Sequence, residues 1–288
     1  MYFDQLILNS GDKVKGKQKR MKNILSDGKA ILVAMDHGLS DGPSTGLINI
    51  ENTIADVASG GASGVILHKG IIKSLKRVPE TGLILHASAG TSIQLDPNDK
   101  RLVASVKEAI KLGADGFSLH INIGGAPHEP DMIQKLGLIA EECDNWEIPL
   151  IAMMYPRGKN ITKNSEFAKM VSLVSRVGAE LGADIIKTNY TGDIDSFSKV
   201  VEGCPVPVVI AGGPKIDSNR QLLQIVSDCL EAGAIGVTLG RNIFSHTNPY
   251  LITKAIAGIV KDGWSVEKAL DLVELSTNLE PEPQVAKI

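Results

Sequence analysis

The stretch Gly182-Ala183-Asp184-Ile185-Ile186-Lys187 decides the fold, because its pattern occurs four times in this chain. A glycine and an alanine precede a short apolar run, and the other copies begin at Gly61, Gly113 and Gly233. Each copy follows a segment with the apolar spacing of an amphipathic helix, so the glycine suits the left-handed position at the end of that helix. A short apolar run bounded by glycine is typical of a buried strand. The repeat therefore predicts alternating helices and strands in a parallel sheet.

Eight strands of this kind are predicted, at residues 31–35, 65–67, 83–86, 117–121, 150–154, 185–188, 206–210 and 236–239. Helices are predicted between most of them, near residues 52–59, 101–112, 132–143, 165–181, 196–201, 221–232 and 251–260. Eight parallel strands in about 250 residues are typical of a (β/α)8 TIM barrel. A doubly wound open sheet is disfavoured, because no Gly-x-Gly-x-x-Gly motif follows the first strand.

The unbroken alternation of helices and strands predicts a single domain. We expect an N-terminal extension at residues 1–29 that caps the barrel, the barrel itself at residues 30–275, and a C-terminal tail at residues 276–288.

The composition narrows the class of protein. A formal net charge of −3 over 288 residues gives no electrostatic case for nucleic-acid binding. Cys143, Cys204 and Cys229 have no metal-ligand spacing, and they indicate the reduced thiols of a cytoplasmic protein. No apolar run is long enough to span a membrane, and no signal peptide is recognised. We interpret the basic cluster between Lys13 and Lys22 as a solvated lead-in or subunit contact, with an RNA- or phosphate-binding arm as the alternative.

A lysine inside an apolar strand, Lys187, is the strongest indication of chemistry. Burial disfavours the charged form of a lysine, and a neutral amine in a pocket attacks carbonyl carbons. The alternative is an edge-strand lysine whose amine reaches water. The residues at the ends of the other strands favour the nucleophile.

In a barrel of this type the active site lies at the carboxyl ends of the strands. Each predicted end carries polar or glycine residues, namely Asp36-His37-Gly38, His68, His86, His120, Tyr155-Pro156-Arg157, Lys187, Gly212-Gly213 and Gly240-Arg241. We expect the last two of these loops to bind phosphate through backbone amides, with Arg241 as charged support. Tyr155 is a candidate general acid or base. Asp36 is a candidate to remove a hydroxyl proton or to hold the charge of the lysine.

Histidines at four of the strand ends raise a rival interpretation. His37, His68, His86 and His120 could ligate zinc or another divalent ion in a metal-dependent aldolase or hydrolase. No H-x-H or H-x-x-E-H spacing supports that interpretation. We therefore expect no metal site.

Six motifs carry a resemblance to a known family: MDHG at residues 35–38, LHKG at 67–70, MMYPRGK at 153–159, KTNYTGD at 187–193, AGGPK at 211–215 and GRNIF at 240–244. With these motifs the chain resembles the archaeal-type class I aldolases of the DhnA/fructose-bisphosphate aldolase group, from about residue 31 to residue 259. Within the group it is most similar to the 2-amino-3,7-dideoxy-D-threo-hept-6-ulosonate synthases, which serve an alternative route to 3-dehydroquinate and the aromatic amino acids.

The resemblance implies a transaldol reaction without a cofactor. Lys187 would form a Schiff base with 6-deoxy-5-ketofructose 1-phosphate, hydroxypyruvaldehyde phosphate would leave, and the remaining fragment would pass to L-aspartate semialdehyde. Tyr155 would be the proton donor and Asp36 the proton acceptor. The substrate-binding residues that the resemblance implies are Asp36, His37, Gly38, Leu39, Ser40, Tyr155, Pro156, Arg157, Lys187, Gly212, Gly213, Gly240 and Arg241. It also implies a homodecamer. The net charge and the lack of a long apolar run, not the resemblance, predict no nucleic-acid or membrane partner.

Three other functions are left open by the residues. A class I fructose-1,6-bisphosphate aldolase would use the same machinery, although Met153-Met154 stands where such relatives tend to carry a bulkier aromatic residue. A relative could join aspartate semialdehyde to dihydroxyacetone phosphate. A sugar-phosphate-binding regulator would need the pocket but no nucleophile, so the joint presence of Lys187, Tyr155 and Asp36 disfavours it.

Overall fold

The computed structural model of the chain describes residues 16–162 and 166–277. Its strands are β1 Ala30–Ala34, β2 Gly64–Leu67, β3 Gly82–His86, β4 Ser88–Ala89, β5 Arg101–Leu102, β6 Gly116–Ile123, β7 Leu150–Pro156, β8 Ile185–Asn189, β9 Val208–Ala211 and β10 Gly236–Leu239. Its helices are α1 Gly16–Ile24, α2 Gly38–Asp41, α3 Ile50–Ser59, α4 Lys69–Ser74, α5 Val106–Lys111, α6 Glu129–Asn145, α7 Phe167–Glu180, α8 Ile194–Glu202, α9 Asn219–Glu231, α10 Arg241–Phe244, α11 Pro249–Asp262 and α12 Val266–Thr277.

Eight of the strands close into a parallel barrel in the order β1-β10-β9-β8-β7-β6-β3-β2. The first and last strands of the repeat close the ring, since Ala30 of β1 pairs with Gly236 of β10. The remaining two strands, β4 and β5, form a small antiparallel pair outside the barrel. The predicted (β/α)8 barrel is thereby confirmed.

Burial on both faces explains why the barrel strands read as continuous apolar runs. In β1, Leu32 and Ala34 pack inside the barrel, whereas Ile31 and Val33 pack among the surrounding helices. The interior cluster also receives Ile151 from β7 and other apolar side chains from β2, β3, β8 and β9. The barrel is therefore filled, and polar side chains can open into a cavity only at its ends.

Two of the differences between predicted and observed element boundaries have local causes. The helix predicted at residues 101–112 begins only at Val106, because Ser105 caps it by accepting a hydrogen bond from the backbone N–H of Glu108. Residues 101 and 102 instead form β5. The strand predicted at residues 206–210 begins at Val208, since Pro207 has no N–H to donate to a neighbouring strand.

Helix α1 packs against β3 and β6, and its last residue, Ile24, is fully buried. Lys17, one of the basic cluster, does not have the solvated role predicted for it. Its amine forms an ion pair with Asp144 and lies 3.0 Å from the Asp184 carboxylate. Lys13 and Lys15 of the cluster lie outside the described residues.

At the other end, α12 continues to Thr277, inside the predicted tail, and the rest of that tail lies outside the described residues. The three cysteines are free and buried. Among the helices described, none has the length and apolar character needed to cross a membrane.

Candidate active site

A cavity of about 310 Å³ opens at the carboxyl ends of the barrel strands. It brings together most of the predicted site residues: Asp36, His37, Leu39, Ser40, Tyr155, Arg157, Lys187, Gly212, Gly213, Gly240 and Arg241. Two predicted members, Gly38 and Pro156, do not belong to its lining. Gly38 begins α2 and Pro156 ends β7, and in a strand the neighbours of an inward-facing residue point the other way.

Lys187 lies on β8 with only 6% of its surface exposed, and its side chain lines the cavity. The strand register places it beside Met153 of β7 and Val209 of β9. Within the part of the chain that the structure describes, no carboxylate forms an ion pair with its amine. The amine therefore faces an open polar cavity, where it can reach a carbonyl carbon.

Tyr155 lies on the neighbouring strand, two residues beyond the partner of Lys187 in the strand register. Its ring packs in the barrel interior, tilted against His120 at 4.8 Å between ring centroids. The guanidinium of Arg157 lies 4.4 Å from the centroid of the same ring. These two contacts fix the phenol at the cavity wall, one pleat closer to the opening than the lysine.

Asp36 follows β1 and lies among three histidines. Its carboxylate oxygens are 3.6 Å from His37 Nδ1 and 3.6 Å from His86 Nε2. The other ring nitrogen of His86 lies 2.8 Å from the Ser118 hydroxyl. His68 is held through its Nδ1, which lies 3.1 Å from the backbone carbonyl of His86. Of the imidazoles around the carboxylate, those of His68 and His86 are thus each held by a contact to a neighbouring strand.

The charges in this cluster follow from burial. Burial alone raises the pKa of Asp36, but the nearby imidazoles of His86 and His37 and the ammonium of Lys187 outweigh it and hold that pKa well below its ordinary value. Burial lowers the pKa of His86 to about 4, against the opposing attraction of Asp36. Burial also lowers the pKa of His37 and of His68. At neutral pH the cluster therefore contains an ionised carboxylate and neutral imidazoles.

The same cluster has the donor atoms of a metal site. One ligand atom from each of Asp36, His68 and His86 lies within 4.8 Å of the other two. Two imidazole nitrogens and a carboxylate oxygen are ligands that suit zinc and similar ions. The structure thus gives the rival interpretation from the histidines a defined location, on the ends of β1, β2 and β3.

The loops after β9 and β10 form the wall next to this cluster, since β10 pairs with β1. Arg241 donates a hydrogen bond of 3.1 Å to the Gly213 carbonyl, which joins the two loops. Asn242 holds the same loop by donating to the Gly212 carbonyl at 2.9 Å and accepting from the Ile216 N–H at 2.8 Å. Gly213 has a φ of +63°, which favours glycine. Backbone groups and a guanidinium therefore meet at this wall, as an oxyanion of a phosphate group requires.

Sequence reasoning missed the part of the lining that comes from the segment between β4 and β5. Thr91, Ser92, Asn98 and Lys100 all line the cavity. The helix predicted from residue 101 includes the two residues of β5, so the sequence gives no sign that this segment pairs with β4 and reaches the cavity. Asn242 was also missed, although the motif GRNIF contains it.

Lys187 faces the cavity from a strand of a (β/α)8 barrel, and a phenol and a carboxylate line the same cavity. This arrangement is that of an aldolase that forms a Schiff base through a lysine. The comparison with known families agrees with this class. The chain belongs to the DeoC/LacD family of aldolases, whose family model matches residues 30–246.

Two curated relatives and one solved structure are similar over most of their length. The chain is 41% identical to 2-amino-3,7-dideoxy-D-threo-hept-6-ulosonate synthase 1 of Archaeoglobus fulgidus, over 89% of this chain and 95% of that protein. It is 37% identical to 2-amino-4,5-dihydroxy-6-oxo-7-(phosphonooxy)heptanoate synthase of Streptomyces griseus, over 81% of this chain and 85% of that one. An archaeal fructose-1,6-bisphosphate aldolase, with its catalytic lysine bound to a carbinolamine intermediate, superposes with a TM-score of 0.78 at 29% identity, over 85% of this chain and 99% of that one.

Proposed function

We propose that this protein is a Schiff-base transaldolase that makes 2-amino-3,7-dideoxy-D-threo-hept-6-ulosonate. Its donor would be 6-deoxy-5-ketofructose 1-phosphate and its acceptor L-aspartate semialdehyde, in the alternative route to 3-dehydroquinate and the aromatic amino acids. The observation that carries the proposal is the buried amine of Lys187, which faces the cavity that Tyr155 and Asp36 also line. The similarity to the synthase of Archaeoglobus fulgidus supports this choice of product.

In the first half of the reaction, Lys187 Nζ adds to the ketone carbon of the donor, and water leaves to give a protonated imine. Asp36 removes the proton of the hydroxyl group whose carbon becomes an aldehyde, and the adjacent carbon–carbon bond breaks. The electron pair of that bond moves toward the imine nitrogen and forms an enamine. An ionised Asp36 suits this role, because the base must be free of a proton before cleavage.

In the second half, the enamine carbon attacks the aldehyde carbon of the acceptor. Tyr155 protonates the alkoxide that forms, and proton exchange with solvent then returns a proton to Tyr155 and removes the one that Asp36 took during cleavage. Hydrolysis of the imine then restores Lys187 and releases the product. The walls formed by Gly212, Gly213 and the β10 end would hold the donor phosphate in the first half, until hydroxypyruvaldehyde phosphate leaves.

Borohydride reduction in the presence of each candidate donor tests this proposal, with intact mass and peptide mapping as the readout. We expect an adduct on Lys187 with 6-deoxy-5-ketofructose 1-phosphate, a weaker one with fructose 1,6-bisphosphate, and none in Lys187→Ala. The matched control is Lys69→Ala, since Lys69 also follows a barrel strand but lies 3.1 Å from the Glu108 carboxylate. Undiminished turnover in Lys187→Ala would refute the mechanism.

Two other outcomes would redirect the assignment. A stronger adduct with fructose 1,6-bisphosphate would favour a fructose-bisphosphate aldolase, in line with the solved archaeal structure. Absence of any adduct, together with activity that a chelator removes and zinc restores, would favour a metal-dependent enzyme that uses Asp36, His68 and His86. The homodecamer that the family resemblance implies is part of this proposal, and light scattering of the purified protein would measure it.

A further inference from the structure

The barrel mouth has cationic groups on two opposite sides. In the closed strand order, β9 and β10 lie across the ring from β3 and β6. Arg241 stands on the first side, where it joins the two glycine loops. Lys100 stands on the second side, in the segment that follows β3. Arg157 follows β7, between β8 and β6 in the ring, and lies near enough to Lys100 to repel it. Lys187, on β8, lies on the arc between Arg241 and Arg157.

Hydrogen bonds from two barrel elements fix the backbone of the segment that carries Lys100. Lys135 of α6 donates a hydrogen bond of 2.5 Å to the Lys100 carbonyl. The Asn122 amide, at the end of β6, donates at 2.9 Å to the Asn98 carbonyl. The segment also returns to the barrel through the antiparallel pairing of β4 with β5. The position of the Lys100 side chain in the cavity wall is therefore set by barrel elements, not by a free loop.

Neither cation on this side forms an ion pair among the described residues, although Asp36, Asp41 and Asp99 lie near enough to attract Lys100. Lys100 Nζ donates a long bond of 3.4 Å to the Gly90 carbonyl, and the guanidinium of Arg157 stacks on an aromatic ring. The nearest carboxylate in sequence, Asp99, pairs with Arg101 at 2.7 Å. Burial, and then repulsion from Arg157, lower the pKa of Lys100. An anion placed between Lys100 and Arg157 would relieve that repulsion.

We propose that Lys100 and Arg157 form an anion subsite that binds the carboxylate of the acceptor aldehyde. The inference rests on the proposed function. A hept-6-ulosonate carries its ketone and its carboxylate near opposite ends of one carbon chain, so the carboxylate must lie well away from the lysine that binds the ketone carbon. The side of the cavity that holds Lys100 and Arg157 meets that requirement with two charged donors, one of which can bind a carboxylate through two parallel bonds.

Steady-state kinetics of Lys100→Met test the subsite. We expect the acceptor KM to rise about 10- to 100-fold, because one charged hydrogen bond is lost. The donor adduct trapped by borohydride should form as in the wild type. Lys100→Arg should restore most of the acceptor affinity. Lys107→Met, an exposed lysine on α5, is the matched control and should change neither quantity. An uncharged aldehyde of similar length should react equally well with the wild type and with Lys100→Met.

An unchanged acceptor KM in Lys100→Met would overturn the proposal. Equal weakening of the donor adduct would overturn it as well, because the subsite would then belong to the donor phosphate. If the wild type makes no product from aspartate semialdehyde, the proposed function fails by itself. The same variants are then compared with glyceraldehyde 3-phosphate and glyceraldehyde. If Lys100→Met weakens the reaction of glyceraldehyde 3-phosphate but not that of glyceraldehyde, the subsite binds a phosphate and the carboxylate proposal is overturned.

Discussion

The neutral state of His86 makes the stability of this protein depend on pH in a defined direction. Its imidazole is 3% exposed, and burial lowers its pKa from 6.5 to about 4. Between these two values the unfolded chain binds a proton that the folded protein does not. Stability therefore falls as the pH drops through this window. Asp36 does not contribute there, since its pKa is held well below its ordinary value and its carboxylate stays ionised.

The size of the effect follows from the shift. Each unit of pKa corresponds to about 1.4 kcal/mol, so His86 should cost the folded state about 2 kcal/mol on going from about pH 7 to about pH 5. The whole shift amounts to about 3 kcal/mol, reached as the pH approaches about 4.

Urea unfolding of the wild type and of His86→Asn across this pH range measures the contribution. Asparagine is of similar width and can bond to the Ser118 hydroxyl, but it does not titrate in this range. The variant should be less stable at neutral pH and should lose about 2 kcal/mol less than the wild type by about pH 5. Ile84→Val, a neighbour in β3, controls for destabilisation alone, and should lower stability by about 1 kcal/mol at every pH. Equal losses in the wild type and His86→Asn would refute the argument that burial keeps this histidine neutral.

Two further substitutions follow from the site geometry. Tyr155→Phe keeps the ring contacts with His120 and Arg157 but removes the hydroxyl, so turnover should fall by about 10²- to 10⁴-fold while the trapped donor adduct forms normally. Unchanged turnover would exclude the phenol as the proton donor. Gly240→Ala would place a methyl group 2.8 Å from the Ala34 carbonyl oxygen and against the His37 ring. We expect a loss of about 1–3 kcal/mol in unfolding free energy and a higher donor KM. An unchanged donor KM would contradict the proposal that this loop binds the donor phosphate.

The sequence by itself determined the barrel and most of its site. Glycine followed by a short apolar run is a local pattern with four copies, and eight apolar strands with helices between most of them fit few architectures. Polar residues at the ends of such strands converge because the strands are parallel, so Asp36, Tyr155, Lys187 and Arg241 could be placed at one cavity without coordinates. Alternation along a strand also placed Met153 and Tyr155 on one face, and both pack inside the barrel.

Only the tertiary structure decided the side of the cavity formed by the segment between β4 and β5. Each of these strands has two residues, too few to show a period, and their pairing joins Ser88 to Leu102 across a long loop. Lys100 therefore could not be assigned to the cavity from the sequence. The protonation states in the Asp36 cluster also could not be predicted from the sequence. Whether a histidine is neutral depends on its burial and on the groups around it, and those come from strands that are distant in sequence.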